Sequence, residues 1–219
     1  MKTLKELTWE HHKEAERQHF VKVLMSGKIL EEVYAVYLFN QHQAYNILEA
    51  IAMSEGFFDD MPQLRRATEI KKDFDELWTW NHQPWLCEST KRYVYHCQNE
   101  LMDSPEKIAA HIYVRHMGDL SGGQMIKRKT PGSNKYYDFN FKKIDDGVQR
   151  YKSVQELKDA LRLKVDSYQK YSDASTLTEN VNNVVYEARV CFSFATELFK
   201  EMMSFIKNNE KRFGDGTKK

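Results

Sequence analysis

The stretch HMGDLSGGQM, residues 116–125, decides the fold, because it reads either as a phosphate-binding loop or as a helix. Three of the chain's nine glycines, Gly118, Gly122 and Gly123, fall within it. A nucleotide-cradling loop needs Lys and then Ser or Thr after its last glycine, and a strand before it, so that backbone amides and the lysine enclose the phosphates. Here Gln124 and Met125 hold those places, although LSGGQ matches the signature peptide of ATP-binding-cassette ATPases letter for letter. The spacing is not Gly-x-Gly-x-x-Gly either, and no strand–helix–strand context surrounds it. As helix, each glycine costs about 1 kcal/mol relative to alanine, so something must gain from the missing side chains. Residues i, i+4 and i+5 share a face, which predicts one bare flank open to a flat ligand or to a close-packed neighbouring helix.

Working outward, Ser104-Pro105 makes a good start for the helix that carries this stretch, and Pro131-Gly132 stops it after about Lys129. Thr3-x-x-Glu6, Ser153-x-x-Glu156 and Thr176-x-x-Glu179 match the reciprocal capping pattern of helix starts. Val33, Val36, Tyr37, Ile47, Leu48 and Ile51 recur at helical spacing between Gly27 and Gly56. Asp60 and Pro62 open a further helix, and Ser89 another. Only NKYYDFNF, residues 134–141, looks extended, and it has no alternating partner. The expected fold is all-α, with residues 1–207 as one domain and 208–219 as a polar C-terminal tail.

Thirty-three basic and 32 acidic side chains leave a formal charge of +1, so no global field recruits nucleic acid or an anionic membrane. The N-terminus is charged without an apolar run, so neither a signal peptide nor a membrane anchor is expected. Cys87, Cys97 and Cys191 are odd in number and lack C-x-x-C spacing, which suits a reducing cytoplasmic location.

YVRHMGDLSGGQ, residues 113–124, resembles the distal-helix motif of heme oxygenases. LKELTWEHHKEAE (4–16), YYDF (136–139), LKDALR (157–162) and EARVCFSFATELF (187–199) resemble further segments of that family in the expected order. The resemblance implies a helical fold holding heme b, as substrate and cofactor, between a proximal and a distal helix. It implies oxidation with O2 and reducing equivalents to biliverdin, Fe(II) and CO, with the IX-alpha isomer as the family's usual product. A non-catalytic heme-binding or heme-transfer protein is the alternative.

His12 takes the proximal iron-ligand position by that resemblance. Glu16, one turn on, can fix its tautomer, whereas His11 points about 100° away around the helix and has Ala15 at i+4. Without the family, such a histidine pair reads as solvated surface. On the distal side Gly118, Gly122 and Gly123 would let heme approach the backbone. Asp119 would order the waters that supply protons to the oxygen chemistry, its alternative being a helix carboxylate paired with Arg115 one turn back. Tyr45 and Arg115 match the distal polar network, and Tyr113 the distal pocket or a propionate contact, with plain aromatic core as the alternative for both tyrosines. Lys5, Lys158 and Arg162 match propionate clamps, and Phe192 an apolar wall. His116 and Ala195 depart from commoner family residues, which bears on the pocket's water network. The resemblance is to members lacking an anchor, which draw electrons from ferredoxin and can feed a bilin reductase. Lys127, Arg128 and Lys129 are the candidate dock for such an acidic carrier.

Overall fold

The structure, a computed structural model, describes residues 3–139, 141, 150–170 and 177–218; the side chains of 169, 170 and 177–182 also fall outside the description. The described residues form helices and turns, and their one β contact is an isolated antiparallel bridge between Ile29 and Thr217.

α1 (Leu4–Leu7) opens on the expected reciprocal cap: Glu6 N–H donates to Thr3 Oγ1, and Thr3 N–H donates to the Glu6 carboxylate. α2 (Trp9–Glu16) and α3 (His19–Met25) follow, then the long α4 (Glu31–Ser54). The helix expected from Asp60 begins later: Pro62–Leu64 is a single 3-10 turn, and α5 (Ala67–Leu77) starts where Glu49 reaches across from α4. Its carboxylate accepts the N–H groups of Arg66 (2.5 Å) and Ala67 (3.0 Å), a cap supplied from a distance that local sequence does not display. α6 (Glu88–His96) likewise gets its first amides, those of Glu88 and Ser89, satisfied by Glu201.

α7 (Pro105–Gly118) buries Ile108, Ala109, Ala110 and Ile112 completely and packs on the later α10 (Leu177–Asn208). Each isoleucine of that row contributes roughly 1.5–3 kcal/mol by leaving water. α7 does not run on to Lys129. Asp119–Gly123 widens into a π-helical turn before the short α8 (Gln124–Ile126). Glycines there leave the ladder without side-chain support, and Gln124 Nε2 donates to the Asp119 carbonyl at 3.2 Å. α9 (Val154–Lys170) packs against α7 and α10. Its start keeps half of the expected cap: Glu156 N–H donates to Ser153 Oγ, but the Glu156 carboxylate accepts from Lys152 N–H instead. Thr176 of the third capping pattern lies outside the described residues. α10 also packs on α2 and α3, so it backs both the N-terminal helices and α7. Past α10, the chain turns through α11 (Glu210–Phe213), buries Phe213, and its Lys218 N–H donates to Lys28 O at 2.6 Å.

The segment 134–139 is not extended. Asn134 adopts a left-handed conformation (φ 52°), its amide donates to the carbonyls of Thr130, Pro131 and Gly132, and Lys135–Tyr137 coils into a 3-10 turn. The carboxylate of Asp73 on α5 accepts the N–H groups of Lys135 (2.9 Å) and Tyr136 (2.7 Å), and Arg66 donates to the carbonyls of Tyr136 and Asp138. Two distant side chains therefore replace the missing strand partner.

Candidate functional site

Asp119 sits at the head of the π turn and is buried. Tyr45 from α4 donates to its Oδ2 at 2.7 Å, and Tyr136 from the 3-10 turn donates to its Oδ1 at 2.8 Å. Burial raises the carboxyl's pKa to about 6. The positive influence of His116, the two phenol hydrogen bonds and Arg66 hold it from going higher. The alternative pairing with Arg115 does not form. The Arg115 guanidinium donates to Gln41 Oε1 at 3.2 Å and lies over the rings of Tyr93 (4.1 Å) and Tyr45 (5.4 Å). Asp119 and Arg115 thus share Tyr45 without touching each other.

His116 lies behind this group and is wholly buried. Its Nδ1 faces the Ile112 carbonyl at 3.2 Å, its Nε2 faces Glu49 at 3.1 Å, and its ring stands 5.2 Å from that of Tyr45. Each ring nitrogen therefore has an oxygen facing it.

The glycines divide. A Cβ built on Gly118 or Gly122 meets nothing within 4 Å, and both residues are exposed. A Cβ on Gly123 falls 2.6 Å from a carbon of the Tyr137 ring. The expectation of three glycines on one open flank is therefore corrected to two. The wide π turn rotates Gly123 inward, where it makes room for the buried Tyr137, itself stacked on Tyr136 at 4.0 Å.

On α2, His12 is half-exposed, its ring stacked on Trp9 (5.6 Å) and edge-on to Phe192 of α10 (5.8 Å). Its buried Nδ1 lies 3.4 Å from Glu16 without hydrogen-bond geometry, and no other partner satisfies it. A shallow cleft between α2 and α10, lined by His11, Glu14, Phe192 and Thr196, runs alongside; none of the three glycines lines it. Lys5, one turn before Trp9, is exposed and lies 5.9 Å from that ring's centroid.

A third group joins α7 to α9. Burial raises the pKa of the Tyr113 hydroxyl, and the nearby Arg162 charge lowers it. Partial burial and the same Arg162 charge depress the Lys158 ammonium. Arg162 is held by Asp159 at 2.6 Å along its own helix. The predicted residues thus fall into three clusters: Asp119, Tyr45 and Arg115; His12, Glu16 and Phe192; Tyr113, Lys158 and Arg162. Sequence reasoning missed Tyr136 as a second donor to Asp119 and Glu49 as the partner of His116. The tyrosine doublet one residue after the Pro-Gly-Ser-Asn turn was the available signal for the former. Glu49 left none beyond being a carboxylate within an apolar helix.

Among the described residues, no helix is long and apolar enough to cross a membrane. The heme oxygenase family model matches residues 1–201. The heme oxygenase of Porphyra purpurea is 29% identical over 219 residues, covering 93% of this chain and 86% of its own. Of solved structures, heme oxygenase from Leptospira interrogans superposes with a TM-score of 0.73 at 26% identity, covering 90% of this chain and 97% of that one. Heme oxygenase-1 from the cyanobacterium Synechocystis, in complex with heme, gives a TM-score of 0.74 at 23% identity over 95% and 94% of the two chains.

Proposed function

The chain belongs to the heme oxygenase family, and from that premise we propose that its three side-chain clusters share the degradation of heme to biliverdin between them. Heme is the substrate, and its iron supplies the site at which O2 is activated. The observation that carries the assignment is the bare flank of Gly118 and Gly122 on either side of Asp119. A Cβ would fill that space, so a flat macrocycle can rest against the backbone there.

In this reading His12 would hold the heme iron. Its Nδ1 is buried and close to Glu16, so Glu16 can hold the proton on Nδ1 and leave Nε2 to bind iron. Phe192 restricts the ring's tilt by edge contact. Tyr113, Lys158 and Arg162 supply donor groups to the two propionates, with Lys5 a further cation from the proximal side. Arg162 must trade Asp159 for a propionate, so Lys158 carries more of that contact. Gly123 supports the site indirectly, by admitting Tyr137.

Asp119 orders water on the distal side and passes protons through it. Its two phenol partners fix both carboxylate oxygens, and a pKa of about 6 lets it gain and lose a proton near neutral pH. Arg115, itself tied to Gln41, packs its guanidinium over the Tyr45 ring and holds it in place. Electrons arrive from ferredoxin. Arg128 and Lys129 are exposed, while Lys127 is partly neutralised by Asp138 at 2.8 Å, so the dock rests mainly on the first two. A bilin reductase is the corresponding consumer of the product, the IX-alpha isomer.

Hemin titration followed by reductant and O2 tests these roles together. His12→Ala should change the ferric heme spectrum and abolish turnover; an unaltered spectrum would remove the ligand assignment. Reversing Arg128 and Lys129 should raise the apparent KM for ferredoxin and leave ascorbate-driven turnover alone, and equal effects on both would discard the dock.

A further inference from the structure

Three helices send one side chain each to a point away from the glycine flank. His96 comes from α6, His111 from α7 and Glu187 from α10. The Nε2 atoms of His96 and His111 lie 2.9 Å and 3.0 Å from the same oxygen, Glu187 Oε2. The His111 and Glu187 side chains are 0% and 3% exposed, while His96 is 17% exposed and opens the cluster to solvent on one side. The three ligand-capable atoms all lie within 4.8 Å of one another. In a tetrahedral zinc site with bonds of about 2.0–2.1 Å, neighbouring ligand atoms stand roughly 3.3 Å apart. The two nitrogen–oxygen distances need widen by only a few tenths of an ångström to reach that spacing, and the two nitrogens stand within 4.8 Å of each other.

We propose that His96, His111 and Glu187 form a binding site for one divalent first-row metal ion of the zinc class. Two imidazoles and a carboxylate are a donor set for such ions, and three protein ligands leave a further position for water. On binding, the ion takes the place of the two Nε2 protons, and each ring carries its proton on Nδ1. For His111 the acceptor is already in place: the Tyr93 hydroxyl lies 3.0 Å from Nδ1, the kind of outer partner that fixes a ligand's tautomer. The Tyr93 ring lies under Arg115, and Asp119 follows directly on the end of the helix that carries His111. An ion here ties α6, α7 and α10 together and stiffens the helix that carries the distal residues. The site does not depend on where heme sits.

The competing description is a hydrogen-bonded His–Glu–His network that holds protons only. Zinc uptake by the full, heme-loaded chain distinguishes them, after stripping with a chelator, dialysis against zinc and elemental analysis, with a thermal melt alongside. The expected result is one equivalent of zinc and a raised Tm for the wild type and for His11→Ala. His96→Ala and Glu187→Gln should each bind zinc at least about tenfold more weakly and lose the rise in Tm. No zinc retained by the wild type, or equal retention in both variants, would overturn the site. Should Glu187→Gln fail to fold, His96→Ala decides, because that side chain reaches the surface.

Discussion

Two buried carboxylates in this molecule each accept two side-chain hydrogen bonds, and they end at opposite ends of the carboxylate range. Asp119 takes its bonds from the neutral phenols of Tyr45 and Tyr136, and burial wins, raising it to about 6. Burial also acts to raise Glu187, but the bonds and positive character of His111 and His96 overturn it and draw it down to about 2. The charge of the donors separates the pair, since the number of bonds is the same. One carboxylate can therefore exchange protons near neutrality, and the other stays ionised. The first borders the bare glycine flank, and the second binds helices together.

The sharpest way to break the contrast is to remove Asp119. Asp119→Ala should lower biliverdin formation by about 10²-fold or more while heme still binds, since a positioned proton donor contributes on that order. Single-turnover absorbance checks it, and unimpaired turnover would end the assignment. Glu187→Ala should do the reverse, destabilising the fold by about 3 kcal/mol in denaturant melts, because it leaves the buried His111 and the partly buried His96 without their shared partner. Its turnover should change only a few-fold. The pH dependence follows from the same shift. A depressed carboxyl stabilises the fold fully above its ordinary value of 4.5 and loses that contribution as pH falls from 4.5 through about 2. The wild type should lose this increment in that window and Glu187→Ala should not.

The glycines sharpen the contrast at smaller amplitude, because they decide what lies beside Asp119. Gly123→Ala drives a methyl into the buried Tyr137 ring and should cost about 1–3 kcal/mol of stability before heme is added. Gly118→Ala meets nothing, so the heme-free protein should be no less stable, and helix propensity favours it by about 0.5–1 kcal/mol. Its cost should appear as weaker heme affinity in hemin titration. Equal behaviour of the two variants would mean that both glycines serve packing.

The difference between these glycines marks how far sequence reached. The all-α class, the capped start of α1 and the turn at Pro131-Gly132 were legible because their causes are local. The resemblance to the family supplied His12, Asp119, Tyr45 and Arg115 as candidate site residues. Hidden were the features made by residues far apart in the chain: Glu49 capping α5, Asp73 and Arg66 coiling the segment that was expected to be extended, and the π turn that sends Gly123 inward. Glu187 is legible as one charge among many until His96 and His111, about ninety and seventy-five residues away, are seen to meet it.

The smallest effect expected is the most discriminating for the carboxylate comparison. Tyr136→Phe deletes the hydroxyl on Oδ1 of Asp119 and keeps the ring that stacks on Tyr137. A phenol bond favours the ionised carboxylate, so its loss should raise the Asp119 pKa above about 6. If the ionised form orders the distal water, turnover falls as pH drops through that pKa. The acid limb of the profile should then move to higher pH in Tyr136→Phe, with only a few-fold loss well above it. The stability effect has the opposite sense to that of Glu187. A raised carboxyl costs stability as pH climbs from its ordinary 3.8 to its folded value, and the variant should extend that costly interval upward. An acid limb that stays in place would show that Tyr136 holds the turn rather than tuning the carboxylate.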